Sequence, residues 1–275
     1  MPPPPADAMP PSRNELVKSA VRANFDASPA DYDAFEEATG LFSFLARELV
    51  SSAGLGFGMK VVDVGCGTGL STAIIREVVG SGSYLAGIDL SPGMLEQARR
   101  RVPGARFIEG DAESLESLFP AGSQDAVLYT ACVFLLPDAP ASFRGARTVL
   151  RDGGIAAMNF IAGAYSGGRE LFKELFPEWT GGAAFPSPRF PCDTSRLEEY
   201  LSSGGFRDIR RGTVEKDMGI EGLRRFYSVP AQSASLYPKM DVAGRRAAVG
   251  KMFDLAVEKG VRSASMRWSW LAARK

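Results

Sequence analysis

The stretch VVDVGCGTGLS, from Val61 to Ser71, constrains the fold more than any other part of the chain. A β-branched apolar run ends at Val64. Three glycines follow at alternate positions, Gly65, Gly67 and Gly69, and helical spacing starts at Leu70. A strand that feeds a helix through a glycine turn is the opening unit of a parallel sheet. Glycine permits the tight turn and lets a ligand lie against bare backbone. The free amides at the start of the helix favour a negatively charged or polar group.

The same alternation continues for a hundred residues. Strands are predicted at Lys60–Val64, Tyr84–Asp89, Ala105–Glu109, Asp125–Tyr129 and Ile155–Phe160. Between them the spacing predicts helices at Leu70–Val79, Gly93–Arg101, Glu113–Leu118 and Ala141–Leu150. Repeated strand–helix units give an α/β fold, a Rossmann-like, mostly parallel sheet with helices on both faces. Ligands of such sheets bind beyond the carboxyl ends of the strands, where the strand order reverses. Before this core, apolar residues at Leu16, Ala20 and Phe25, then at Phe35, Leu41, Leu45 and Val50, predict helices over 13–58. Residues 1–12 hold six prolines and read as a disordered tail. After the core (59–160), residues 161–275 hold an aromatic stretch containing Tyr165, Phe172, Phe176, Trp179, Phe185 and Phe190. They also hold two further strands near Phe206–Val214 and Met266–Ala272, and helices at Arg196–Ser203 and Ala243–Val257.

Composition narrows the chemistry. The chain has 275 residues, 45% apolar and 23% charged, enough for a sizeable core. Thirty-two basic residues balance thirty-two acidic ones, so neither nucleic acid nor an anionic membrane is an expected partner. There is no histidine, which removes the commonest general base and imidazole-based metal sites. Cys66, Cys132 and Cys192 are too widely spaced for a disulfide framework and read as free thiols. No export signal or spanning segment is visible, so a cytoplasmic location is expected.

Three acids sharpen the glycine turn. Asp63 sits inside the first strand. Asp89 ends the second strand in GIDLS, and Asp111 follows the third in EGDAE. A carboxylate at Asp89 suits the 2′,3′-diol of a ribose. Asp111 suits an exocyclic adenine amine, with the Ala112 amide facing a ring nitrogen. Dinucleotide dehydrogenases place their third glycine one residue later, where this chain has Leu70. Asp63 would also repel a pyrophosphate and attract an amine.

Val61–Phe160 resembles the class I S-adenosylmethionine-dependent methyltransferases, in particular small-molecule members of the type 11 kind. VVDVGCGTG, GIDLS and EGDAE resemble their first three motifs. The resemblance implies a seven-stranded sheet with the last strand antiparallel beside the fifth. It implies S-adenosylmethionine as cofactor and S-adenosylhomocysteine as product, bound by Asp63, Gly65, Cys66, Gly67, Asp89, Leu90, Asp111, Ala112 and Thr130, with Tyr32 covering the methionine end. In-line transfer to a small-molecule acceptor is then expected, with no metal. The catalytic residues are unknown. Tyr32 and Tyr129 are the candidates for acid–base work. Some relatives methylate arsenite through three cysteines, but unrelated thiols are the plainer reading here.

The aromatic stretch and the long excursion between the last two strands, together with the N-terminal helices, would form a cap over the strand ends. Arg224 or Arg225 would there hold an anion or remain solvated. A monomer or homodimer is expected. Three other readings stay open: a cofactor-binding protein without turnover, a methyltransferase acting on a macromolecule, and, remotely, an NAD-dependent oxidoreductase.

Overall fold

A computed structural model describes residues 10–181 and 192–275. Most of the Pro-rich tail, and Phe185 and Phe190 of the aromatic stretch, lie outside the described residues. Three helices lead: α1 (Arg13–Asp26), α2 (Pro29–Thr39) and α3 (Leu41–Ala53). Ser12 and Glu15 form a reciprocal capping box that starts α1. Gly40, at φ +58°, ends α2 and turns the chain into α3.

The core alternates as the pattern predicts: β1 (Val61–Val64), α4 (Leu70–Val79), β2 (Leu85–Asp89), α5 (Pro92–Arg101), β3 (Arg106–Glu109), β4 (Gln124–Tyr129), α6 (Ala139–Val149) and β5 (Leu150–Ser166). The helix expected near Glu113–Leu118 is a 3-10 turn, Ala112–Ser117. The remainder comprises β6 (Arg169–Glu170), α7 (Phe176–Trp179), α8 (Thr194–Ser203), β7 (Arg207–Asp217), α9 (Gly219–Ser228), α10 (Pro230–Leu236), α11 (Val242–Glu258) and β8 (Ser265–Arg274).

The strands form one sheet in the order β3-β2-β1-β4-β5-β8-β7. The first five run parallel, and β8 is antiparallel to both of its neighbours. β6, two residues long, folds back on β5 as an eighth strand outside the seven-strand path. β1 lies between β2 and β4, with Val61 level with both Leu85 and Ala126. The strand order therefore reverses beside β1, which is where a parallel sheet leaves a crevice. All four residues of β1 are buried, as expected of a central strand covered on both faces.

β5 is much longer than the predicted Ile155–Phe160. It runs through a bulge between Ile161 and Gly163 and stays paired with β8 up to Tyr165 and Ser265. A bulge adds twist and bends a strand pair, and here the pair continues past the carboxyl edge of the sheet. The 218–264 excursion leaves from that raised end, so α9, α10 and α11 sit on the same side as the crevice. Their core includes Phe35, Leu41, Leu45, Leu223, Phe226, Phe253 and Trp268. The long connection is thus helical, and its apolar faces close on α2, α3 and the raised strands. Among the described residues no helix is long and apolar enough to cross a membrane.

Candidate active site

A cleft of about 1060 Å³, counted out into open solvent, lies over the carboxyl ends of β1, β2, β3 and β4. Its floor is the glycine turn. Gly65, Gly67 and Gly69 all take positive φ, at 64°, 54° and 83°. What a side chain there would meet differs among them. A side chain at Gly65 would start 2.6 Å from Cys132 Cβ, and one at Gly69 would start 3.0 Å from the Ala98 backbone. At Gly67 a Cβ would meet nothing within 4 Å. Packing accounts for the first and third glycines, and open cleft adjoins the second.

Asp63 lies under this floor, fully buried. Its Oδ2 accepts from Ser71 Oγ (2.7 Å) and Thr72 Oγ1 (2.6 Å) of α4. Its Oδ1 has no hydrogen-bond partner. Burial pushes its carboxyl up to about 6, against the pull of the two hydroxyls, and neighbouring Asp89 adds to the rise. Asp89 accepts from the Gly67 amide (2.9 Å) and the Ser91 amide (2.9 Å), which clamps the second strand end to the turn. Burial raises Asp89 as well, and Asp26 adds to this, while its two amide partners act the other way. Neither carboxylate has a cationic side chain paired with it among the described residues. Buried Asp63 and half-buried Asp89, both without a counter-ion, give this end of the cleft a negative charge that favours a cation.

The third acid is different. Asp111 Oδ2 accepts from Lys18 Nζ at 2.6 Å, and its Oδ1 caps the following turn through the Glu113 amide (2.9 Å). Lys18 also pairs with Glu113. Burial alone would lower the Lys18 ammonium, but its bonds to Asp111 and Glu113 prevail and raise it. Arg22 pairs with Glu109 at 2.7 Å, and Asp26 accepts from Ser91 Oγ (2.5 Å) and the Gly93 amide (3.2 Å). These bonds lash α1 across the cleft mouth, where Lys18, Val21, Arg22 and Phe25 line it. α2 is tied down by Asp33, which accepts from Thr68 Oγ1 (2.9 Å) and pairs with Arg101 (2.8 Å).

The far wall is aromatic. Tyr32 stacks on Phe42 with ring centres 5.1 Å apart, and Phe25 lies 5.7 Å from Tyr32. The Tyr32 hydroxyl accepts from Gln232 Nε2 of α10 at 2.6 Å. Burial drives its phenol far above the usual range.

A family profile described as "Methyltransferase domain" matches residues 62–158. The chain is 35% identical over 173 residues to the aklanonic acid methyltransferase of Streptomyces sp. (strain C5), covering 61% of this chain and 75% of that one. The chain belongs to the class I S-adenosylmethionine-dependent methyltransferase family. It is also 30% identical over 152 residues to the malonyl-[acyl-carrier protein] O-methyltransferase of Serratia marcescens, covering 55% of this chain and 56% of the relative. The fold matches a solved Haemonchus contortus phosphoethanolamine N-methyltransferase, in complex with phosphomonomethylethanolamine and S-adenosylhomocysteine. The TM-score is 0.53 at 18% identity, over 93% of this chain and 60% of that one.

For a methyltransferase of this family the predicted residues fall as follows. Tyr32, Gly65, Cys66, Gly67, Asp89, Leu90, Asp111, Ala112 and Thr130 all line the cleft. Asp63 lies beneath it. Tyr129, expected as an acid–base candidate, is misplaced for that role. It is fully buried, absent from the cleft wall, and bonded to Ser142 Oγ at 2.8 Å. Its ring packs edge-on to Phe143, because alternation along β4 turns position 129 into the α6 face of the sheet. Arg224 pairs with Asp254 (2.8 Å) and Glu221 (3.2 Å), away from the cleft wall, and Arg225 is exposed. The solvated alternative fits Arg225, whereas Arg224 is ion-paired and largely shielded. Cys66 and Cys132 line the cleft, but burial keeps both thiols well above their usual range and pushes Cys192 up to about 12. The sequence reading missed Lys18, Arg22, Phe42 and Gln232. Their partners lie up to 200 residues away in the chain, and no local pattern carries such pairings.

Proposed function

We propose that the chain binds S-adenosylmethionine in this cleft and methylates a small, largely apolar acceptor that arrives as an anion, with carboxylates the foremost class. Buried Asp63 and half-buried Asp89, neither with a counter-ion, suit a cationic amino-acid group and disfavour the pyrophosphate of a dinucleotide. In this reading the Gly65–Gly67 backbone holds the amino-acid end with the Asp63 charge beneath it, Asp89 holds the ribose, and Asp111 with Ala112 the adenine edge. Lys18 then shares Asp111 with the adenine amine. When bound, S-adenosylmethionine supplies a methyl group on a sulfonium whose departure needs no protein acid.

One observation carries the choice of acceptor: among the described residues, no side chain on the cleft wall is fit to remove a proton. There is no histidine in the chain. Tyr32 and both cleft thiols are held protonated by burial. Asp89 and Asp111 are occupied by amides and by Lys18. The acceptor must arrive already deprotonated. The aromatic wall of Phe25, Tyr32 and Phe42 excludes water from it and helps fix its orientation, which is the protein's main contribution to an in-line displacement. Relatives named for aklanonic acid and trans-aconitate support an acidic acceptor.

The test is S-adenosylhomocysteine release across a panel of carboxylates, phenols, thiols, amines and alcohols. Turnover is expected with acids, with kcat at saturating cofactor following the acceptor's own ionisation. Turnover confined to alcohols or protonated amines would overturn the reading. Cofactor binding without turnover across the panel would instead favour a non-catalytic binder. Within the cleft, Asp89→Ala is expected to weaken S-adenosylhomocysteine by about tenfold, about 1.4 kcal/mol. Unchanged affinity by calorimetry would remove Asp89 from the ribose.

A further inference from the structure

Ala131 is one of two non-glycine residues with positive φ among the described residues, at 53°, and it lines the cleft directly after β4. A non-glycine residue persists in that region only where its surroundings hold it there. Here the holder is Asn159 of β5. Asn159 Oδ1 accepts from the Ala131 amide at 2.7 Å, and its Nδ2 donates to the Leu45 carbonyl of α3 at 3.0 Å. Asn159 is 2% exposed. From the other side, Cys132 Sγ donates to the Val64 carbonyl at 2.9 Å, pressing the same turn against Gly65.

The turn presents Thr130. Its hydroxyl is buried, lies on the cleft wall and has no hydrogen-bond partner. A buried hydroxyl without a partner is rare in a native protein and points to an absent ligand atom. The sheet order says which part of a ligand that is. Asp111 follows β3 and Asp89 ends β2, so an adenosine laid across the strand ends has its base and sugar there. Thr130 follows β4, across β1 from both, beside the amino-acid end.

We infer that Asn159 is a positioning residue: it locks the Thr130–Ala131 turn so that the Thr130 hydroxyl bonds the amino-acid portion of the cofactor. This rests on the proposed use of S-adenosylmethionine. The two ideas fail differently when S-adenosylhomocysteine is compared with 5′-methylthioadenosine, which lacks the amino-acid portion.

By calorimetry, Asn159→Leu is expected to weaken S-adenosylhomocysteine about tenfold, the loss of one buried bond to a charged group, and to leave 5′-methylthioadenosine within about twofold. Asn159→Asp, which keeps an acceptor for the Ala131 amide but sets an oxygen against the Leu45 carbonyl, is expected to restore part of the difference. Adding Ala131→Gly to Asn159→Leu should recover part of it, since glycine adopts positive φ freely. In a Thr130→Ala background, Asn159→Leu should cost little more, because the two act through one contact. Equal weakening of both ligands, or none of either, overturns the inference. A wild-type protein that binds neither ligand overturns the cofactor reading and the inference with it. Should Asn159→Leu not fold, hydrogen exchange on the unliganded wild type decides: the Ala131 amide must be protected, and rapid exchange refutes the lock.

Discussion

Gly67→Val is expected to abolish detectable binding of S-adenosylhomocysteine, a loss of at least about a hundredfold, in a protein that still folds. Two effects combine. Gly67 sits at φ +54°, which costs a β-branched residue about 1–3 kcal/mol. Its missing side chain faces open cleft, so valine methyl groups would occupy the space in which a ligand lies against the backbone. The strain alone is smaller than the about 5–15 kcal/mol that holds a typical domain together, so the sheet should survive. The neighbouring glycines are the control. Gly65→Ala drives a Cβ into Cys132 and Gly69→Ala drives one into Ala98, so both should lower the melting temperature markedly. Only the middle glycine should separate binding from folding. Near-normal calorimetric affinity in Gly67→Val would mean that nothing lies against this turn.

That contrast marks where local sequence stops being informative. The GxGxG spacing announces a turn and a close approach, yet it does not say which glycine answers to a ligand and which to a helix. Leu70–Val79 is read to the residue because its apolar stripe and flanking glycines are local signals. β1 to β4 are likewise legible from their apolar runs. The continuation of β5 to Ser166 is not, because what keeps it extended is pairing with β8, a hundred residues later. The same holds for the site. Asp89 and Asp111 are legible because they stand at strand ends, a position fixed by the repeat. Tyr129 misleads for that reason too: it ends a strand, but the two-residue alternation turns it inward, and the cleft wall begins at the neighbouring Thr130. Asn159 reads as one polar residue within a buried strand. Its meaning lies in the Ala131 amide it holds, which no spacing rule encodes.

The largest electrostatic effect is expected at Asp63. Its carboxyl is raised from 3.8 to about 6, chiefly by burial. A raised carboxyl means that folding binds a proton, so this group opposes folding once it must ionise. The cost is absent below about pH 4, grows between 4 and 6, and levels above that at about 3 kcal/mol. Asp63→Asn keeps an acceptor for Ser71 and Thr72 and removes the charge. It should therefore raise the melting temperature of the unliganded protein at pH 7 and have little effect at pH 4. Binding should show the reverse. A ligand ammonium supplies the missing counter-charge, so Asp63→Asn is expected to weaken S-adenosylhomocysteine about thirtyfold at pH 7, about 2 kcal/mol. In the wild type, affinity should fall as pH drops below about 6, since the proton competes with the ligand cation, and that slope should vanish in the variant. For 5′-methylthioadenosine, which carries no ammonium, neither the mutation nor the Asp63 proton should matter much. An Asp63→Asn protein that is less stable at pH 7 yet binds normally would show that the carboxylate serves the α4 hydroxyls alone.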